Sequence, residues 1–170
     1  TAQVHNGSMF ALGGLTNCDG DAAREARVSD DGLTWRSAGK APPWPRIFFS
    51  SVSFRGYMWV LGGHDFSEKV RHDVWRSTDA THWELVHASA PWEPRMSHAS
   101  LVFQDKIWII AGSNQKQSSL CDVWSTRDGR AWTLVSSCAP FSPRFSHVAT
   151  VFASKMWVYG GNTDTADVWW

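Results

Sequence analysis

The sequence predicts an all-β fold, an arc of a β-propeller made of four-stranded antiparallel blades. Three observations carry this: an internal repeat, a paired glycine in each copy, and tryptophans confined to fixed columns. Gly13-Gly14, Gly62-Gly63, Ala111-Gly112 and Gly160-Gly161 stand 49 residues apart. The residues before them align too: 9–12 with 58–61, 107–110 and 156–159. Self-similarity at a fixed period of this size marks repeat architectures.

The 12 tryptophans sharpen the register. Trp59, Trp108 and Trp157 form one column, and Trp75, Trp124 and Trp169 a second. Trp35, Trp83 and Trp132 form a third, and Trp44 and Trp92 a fourth, which leaves only Trp170 outside the pattern. Pro45-Arg46, Pro94-Arg95 and Pro143-Arg144 form a further column, and Asp73-Val74-Trp75 matches Asp122-Val123-Trp124 and Asp167-Val168-Trp169.

The second copy defines the strands. The apolar-rich runs 49–54 and 57–61 are separated by Arg55-Gly56, a tight hairpin. The first copy has Asn6-Gly7 there, the strongest two-residue hairpin signal. We denote these strands a and b, with b ending at the double glycine, where close backbone approach excludes a side chain. A polar loop over 64–72 leads to strand c with Asp73-Val74-Trp75. The Ser/Asp/Gly turn chemistry of 29–32, 77–80 and 126–129 then leads to strand d. A Pro-rich stretch links d to the next a. Four short strands per copy indicate propeller blades, and no segment sustains a helical period. Trp59, Trp75, Trp83, Trp108, Trp124, Trp132 and Trp157 are read as core packing between blades, each burying about 150–250 Å².

The blades fall at about 1–45, 46–94, 95–143 and 144–170, about three and three-quarter blades in one domain. Strand d of the last copy is missing. The chain is therefore expected to be a fragment of a larger ring, with a four-bladed ring or self-association through open blade edges as the alternative.

Bulk properties narrow the function. Sixteen Lys and Arg balance 16 Asp and Glu, so no basic face for nucleic acid is expected. No apolar run approaches the roughly 20 residues of a membrane span. The 43% hydrophobic and 19% charged composition is that of a soluble globular domain. Cys18, Cys121 and Cys138 are an odd number and no disulfide framework. Cys121 opens strand c and Cys138 closes strand d of the third copy, which brings them near each other and leaves their pairing open.

The Gly62-Gly63, Trp75 and Trp83 spacing resembles the kelch repeat, as do the Pro-Arg-x-x-His openings ending at His98 and His147. The turn over 29–35 is similar to the Asp-box of sialidase-type propellers, one residue shorter. Ala111 in the double glycine and Arg27 in the strand-c Trp column depart from the pattern. The resemblance covers the whole chain and implies fold more strongly than function. It implies a non-catalytic binding or scaffold module for a protein or peptide partner, with no cofactor and no metal. The alternative is a carbohydrate-binding or carbohydrate-active propeller, sialidase-like or a kelch-type sugar enzyme, with a glycan as ligand.

Antiparallel order puts the b–c loops and d–a linkers on one end of the ring. These loops vary in length while the a–b and c–d turns are uniform, and variable loops on a rigid scaffold are where binding resides. The candidate site residues are therefore Arg46, Arg95, Arg144, Trp44, Trp92, His64, Arg71, His98 and His147. Arginine and tryptophan are favoured interface anchors. No Gly-x-Ser-x-Gly, phosphate-loop or His-Glu-x-x-His motif supports catalysis. Asp31, Asp79 and Asp128 are assigned to turn capping.

Overall fold

The computed structural model describes residues 1–14, 23, 25–40, 45–65, 67, 69–163 and 168–169. Trp44, Cys18, Asp167 and Trp170 lie outside them. The first blade orders β1 (Ala2–His5), β2 (Ser8–Ala11), β3 (Glu25–Ser29) and β4 (Arg36–Lys40) as an antiparallel meander. The second contains β5 (Arg46–Ile47), β6 (Ser50–Phe54), β7 (Tyr57–Asp65), β8 (Val70–Ser77) and β9 (Glu84–His87), with β5 and β6 both paired to β7. The third contains β10 (Ala99–Phe103), β11 (Lys106–Ser113), β12 (Ser119–Thr126) and β13 (Trp132–Ser136). The fourth contains β14 (Val148–Phe152), β15 (Lys155–Tyr159) and β16 (Val168–Trp169). Strands β1, β6, β10 and β14 pack side by side in chain order. The protein is an all-β propeller assembly of four blades, as the repeat predicts.

The turn residues explain the uniform hairpins. Each a–b hairpin has left-handed φ at both central residues: Asn6-Gly7, Arg55-Gly56, Gln104-Asp105 and Ala153-Ser154. That is the type I′ pattern, whose twist matches the flanking strands. In the c–d turns, one carboxylate oxygen of Asp31 accepts from the N–H groups of Leu33 and Thr34, Asp79 from Thr81 and His82, and Asp128 from Arg130 and Ala131. Those backbone bonds hold the Asp31 carboxyl down at about 2. Burial works in the opposite direction at Asp79, but the bonds from His82 and Thr81 outweigh it and lower its pKa.

The paired glycines behave differently from expectation. Strand b does not end at them in the second and third blades; β7 and β11 run on through a bulge, marked by register shifts between Leu61 and Gly63 and between Ile110 and Gly112. The polar loop of the second blade is correspondingly shorter than 64–72. The reason is that left-handed φ at Gly62, Gly63, Ala111 and Gly112 inserts one residue and restores pairing beyond it. A Cβ on Gly63 would stand 2.8 Å from the carbonyl oxygen of Ile47, because β5 lies against the strand here.

Three apolar clusters fill the three blade junctions. Phe10, Leu12 and Val28 meet Phe49, Met58 and Val60 between the first and second blades. Trp59, Leu61 and Val74 meet Trp92, Ile107 and Ile109 between the second and third. Leu101, Trp108 and Ile110 meet Phe141 and Val158 between the third and fourth. Several repeated indoles also donate one fixed bond, whereas the buried Trp92 N–H has no partner among the described residues. Trp59, Trp108 and Trp157 donate to the carbonyls of Phe54, Phe103 and Phe152 at their own hairpins. Trp83 and Trp132 donate to Ala80 and Gly129 in their turns. Burying an indole contributes several kcal/mol, at about 25 cal/mol per Å² over about 150–250 Å², and a bonded N–H avoids the cost of an orphan donor. β6 and β10 are buried or half-buried throughout, whereas Val4 on β1 and Val148, Val151 and Phe152 on β14 are exposed. Cys121 and Cys138 form a disulfide that clips the chain leaving β13 onto β12.

The turn glycine of the third blade is pressed against its neighbour. A Cβ on Gly129 would lie 2.3 Å from the Trp59 ring, while one on Gly56 meets nothing within 4 Å, and both glycines have left-handed φ. Gly56→Ala is expected to cost about 1–2 kcal/mol, the penalty of left-handed backbone. Gly129→Ala is expected to cost about 1–3 kcal/mol more from overpacking. Urea unfolding of both variants checks the difference.

Candidate functional site

The d–a linkers and b–c loops lie together on one face. In the second blade β5 pairs with the end of β7, Arg46 opposite Asp65 and Ile47 opposite His64. In the third, Met96 and Ser113 exchange both backbone hydrogen bonds at 2.9 Å. In the fourth, the Asn162 N–H donates to the Phe145 carbonyl. The linkers are thus fourth-side extensions of the sheets, built by the bulge.

The arginines sit beneath this face. Arg95 is fully buried, and its guanidinium donates to the Ala111 carbonyl at 2.9 Å and to both carboxylate oxygens of Asp122 at 2.7 Å. Arg46 repeats the arrangement on the Gly62 carbonyl at 2.9 Å and on Asp73 at 2.6 and 2.9 Å. Fully buried Arg144 donates to the Gly160 carbonyl at 3.0 Å. Asp73 and Asp122 also accept from the indole N–H of Trp75 and Trp124. The aspartate, arginine and tryptophan columns therefore form one unit. Bidentate pairing of this kind adds geometric specificity to charge.

The backbones of Arg95 and Arg144 belong to the preceding blade, while Arg46 lies in β5 and pairs with β7 of its own blade. The Arg95 N–H donates to the Arg71 carbonyl of β8, and its carbonyl accepts from the Gly63 N–H of β7. Arg144 repeats this on Leu120 and Gly112 of the third blade. One residue thus ties two blades, backbone to one and guanidinium to the next. With essentially no exposed area on these arginines, the surface offered to a partner at the junctions belongs to their neighbours.

The other predicted residues divide. Trp92 is interior at 1% exposure, edge-on to Trp132 with ring centroids 5.7 Å apart. His64 and Arg71 are half-exposed on the loop face, and Arg71 is ion-paired to Asp65. The Asp65 carboxyl is held at about 2: burial opposes this, but bonds from Ser67, Arg71 and the Lys69 N–H prevail. His98 is buried, its Nε2 2.6 Å from the Ser50 hydroxyl of the neighbouring blade. Burial, then the charge of Arg95 and His147, pushes its pKa well below the usual value. His147 is lowered to about 4 by burial and by Arg144. Among the described residues no three His, Cys, Asp or Glu side chains converge as a metal site would require.

A cavity of about 230 Å³ opens on this face between the linkers of the second, third and fourth blades. Phe48, Met96 and Phe145 supply its apolar walls, and Ser97, Ser113, Ser146 and Gln117 its polar groups. None of these residues stands out in the sequence by type. The available signal was a mismatch: Phe48 shares its repeat column with Ser97 and Ser146.

A family model described as the KLHDC2/KLHL20/DRC7 Kelch-repeats domain matches residues 1–161. The solved structure of YjhT is similar at a TM-score of 0.79 and 14% identity, over 94% of this chain and 58% of that one. The chain therefore spans a little over half the length of that protein, and the likeness is one of fold. No curated protein matches the chain. Among the described residues no helix is long and apolar enough to cross a membrane.

Two of the buried histidines, His98 and His147, set a pH dependence. Their folded pKa values lie below about 6.5, so the unfolded chain binds protons first as pH falls. Stability is expected to be full above pH ~7 and to fall as pH drops from about 6.5 toward the value of about 4 for His147. The turn aspartates add their loss only below the usual carboxylate range. Melting temperature across pH 7 to 4.5 checks this, and His147→Gln should flatten the slope.

Proposed function

The chain belongs to the Kelch-repeat family, whose propeller domains are generally protein-interaction modules, and from this premise we propose that it is a non-catalytic binding module for a protein or peptide. The partner contacts the loop face. The observation that carries this reading is the division of labour at the blade junctions. The residues that repeat, Arg46 with Asp73, Arg95 with Asp122, and Arg144, are consumed in bonds within the scaffold. The loops above them are free to differ: β7 to β8 and β11 to β12 turn over with unlike sequences, and exposed Lys69 and Lys116 lie in them. Rigid scaffolds that present variable loops concentrate recognition there. His64 and Arg71 belong to this surface, since both keep exposed area on it. Trp92 is interior and Asp31, Asp79 and Asp128 cap their own turns, so these residues do not carry a carbohydrate reading.

The test is selection of ligands from a displayed random-peptide library, followed by affinity measurement on charge-reversed faces. Lys69→Glu combined with Lys116→Glu should weaken most selected peptides at least tenfold. Leu33→Glu combined with Arg127→Glu, on the opposite face, should leave them within twofold. The reverse pattern contradicts the loop-face reading.

A further inference from the structure

We propose that the cavity between the second, third and fourth linkers receives one uncharged side chain of the partner, an amphipathic one with a terminal hydroxyl, for which tyrosine is the natural residue. This rests on the reading of the loop face as a protein-binding surface. Four features point to it.

The first is Ser113. It is 2% exposed, lines the cavity, and its hydroxyl has no hydrogen-bond partner among the described residues. Its backbone groups are both spent on Met96, so the unmatched group is the side chain. A buried hydroxyl without a partner is costly and rare, and a polar group entering the cavity would satisfy it.

The second is Phe48. Its column serves the scaffold through backbone alone: the Ser97 N–H donates to the Phe48 carbonyl, and the Ser146 N–H to the Ser97 carbonyl. All three residues have left-handed φ of 52–55°. Serine suffices for that role in two blades. A bulky residue is a steric outlier in this conformation, yet Phe48 stands there with 55% of its surface exposed. Its ring has no scaffold duty that the serines lack, and it faces the cavity.

The third is charge. Among the described residues no ionisable side chain lines the cavity. A Lys or Glu entering it would shed water without a counter-charge, which is strongly unfavourable. The fourth is size. About 230 Å³ is below the roughly 300–1,000 Å³ of pockets that enclose whole small-molecule ligands. It suits one side chain anchored by a larger partner. Aromatic residues with a polar tip are favoured in that role, since they bring area and one hydrogen bond at low entropic cost.

The experiment titrates the ¹⁵N-labelled full chain with four capped pentapeptides, Ac-Gly-Gly-Xaa-Gly-Gly-NH₂, with Xaa as Tyr, Phe, Glu or Lys. The Tyr peptide should shift the amide resonances of Ser97, Ser113 and Ser146 and bind at least fivefold tighter than the Phe peptide. The Glu and Lys peptides should leave these resonances in place. Ser113→Ala should erase the preference for Tyr over Phe, and Phe48→Ser should weaken both at least fivefold; dispersed spectra of each variant confirm folding. Equal binding of Glu or Lys, an unchanged preference in Ser113→Ala, or silence from all four peptides would overturn the assignment. Shifts confined to His64, Lys69 or Lys116 would overturn the cavity while leaving the loop-face reading intact. That reading stands or falls separately on the library selection.

Discussion

One arginine at each blade junction carries connections that the apolar clusters alone do not provide. A propeller blade is a small twisted sheet, and packing two such sheets face to face leaves their relative height and tilt loosely defined. Arg95 removes that freedom. Its backbone is hydrogen-bonded into β7 and β8 of the second blade, and its guanidinium is bonded to Ala111 and Asp122 of the third. The desolvation of a buried ion pair offsets much of its attraction, so such pairs specify geometry more than they add stability. Removing one member is another matter, because it strands the other. The bulge is part of the same constraint. Left-handed backbone at the paired glycine position turns a carbonyl toward the guanidinium and brings the linker within hydrogen-bond distance of the strand. Ala111 meets this requirement at φ 52°, which explains how the third copy keeps the arrangement with one glycine fewer.

Much of the fold was legible because local chemistry and the repeat agreed. The type I′ hairpins were announced by Asn6-Gly7 and Arg55-Gly56, and the capped turns by Asp31, Asp79 and Asp128. Trp59 and Trp108 were read as core packing and are interior, whereas Trp92, read as an anchor on the loop face, is interior as well. The error lay at the double glycine, taken as the end of strand b. A bulge and a strand end demand the same residue there, and only the partner strand distinguishes them; β5 and the Met96–Ser113 bridge come from the linker, distant in sequence. The arginines were less legible still. Arginine in a Pro-rich linker reads equally as an anchor for a partner or a tie within the fold. Its partner, Asp122, lies 27 residues away. The Cys121–Cys138 pairing was left open for the same reason, since spacing brings the residues near without stating that they bond.

The division between repeating and non-repeating residues organises the functional account. A repeated residue performs the same task at every junction and so describes the scaffold. A residue that departs from its column is released from that task or given another. Phe48 departs from serine while keeping the backbone geometry of its column, and it does so beside a buried hydroxyl and in an uncharged cavity. The candidate site was hidden from sequence because its members come from three linkers, one strand end and the loop after it, brought together only by the stacking of blades.

The central claim is that Arg95 is a tie between blades. Equilibrium urea unfolding of Arg95→Ala tests it most directly. The account predicts a loss of about 3–5 kcal/mol, the cost of leaving a buried charge partner stranded. A loss below about 0.5 kcal/mol, typical of a surface substitution, would contradict it.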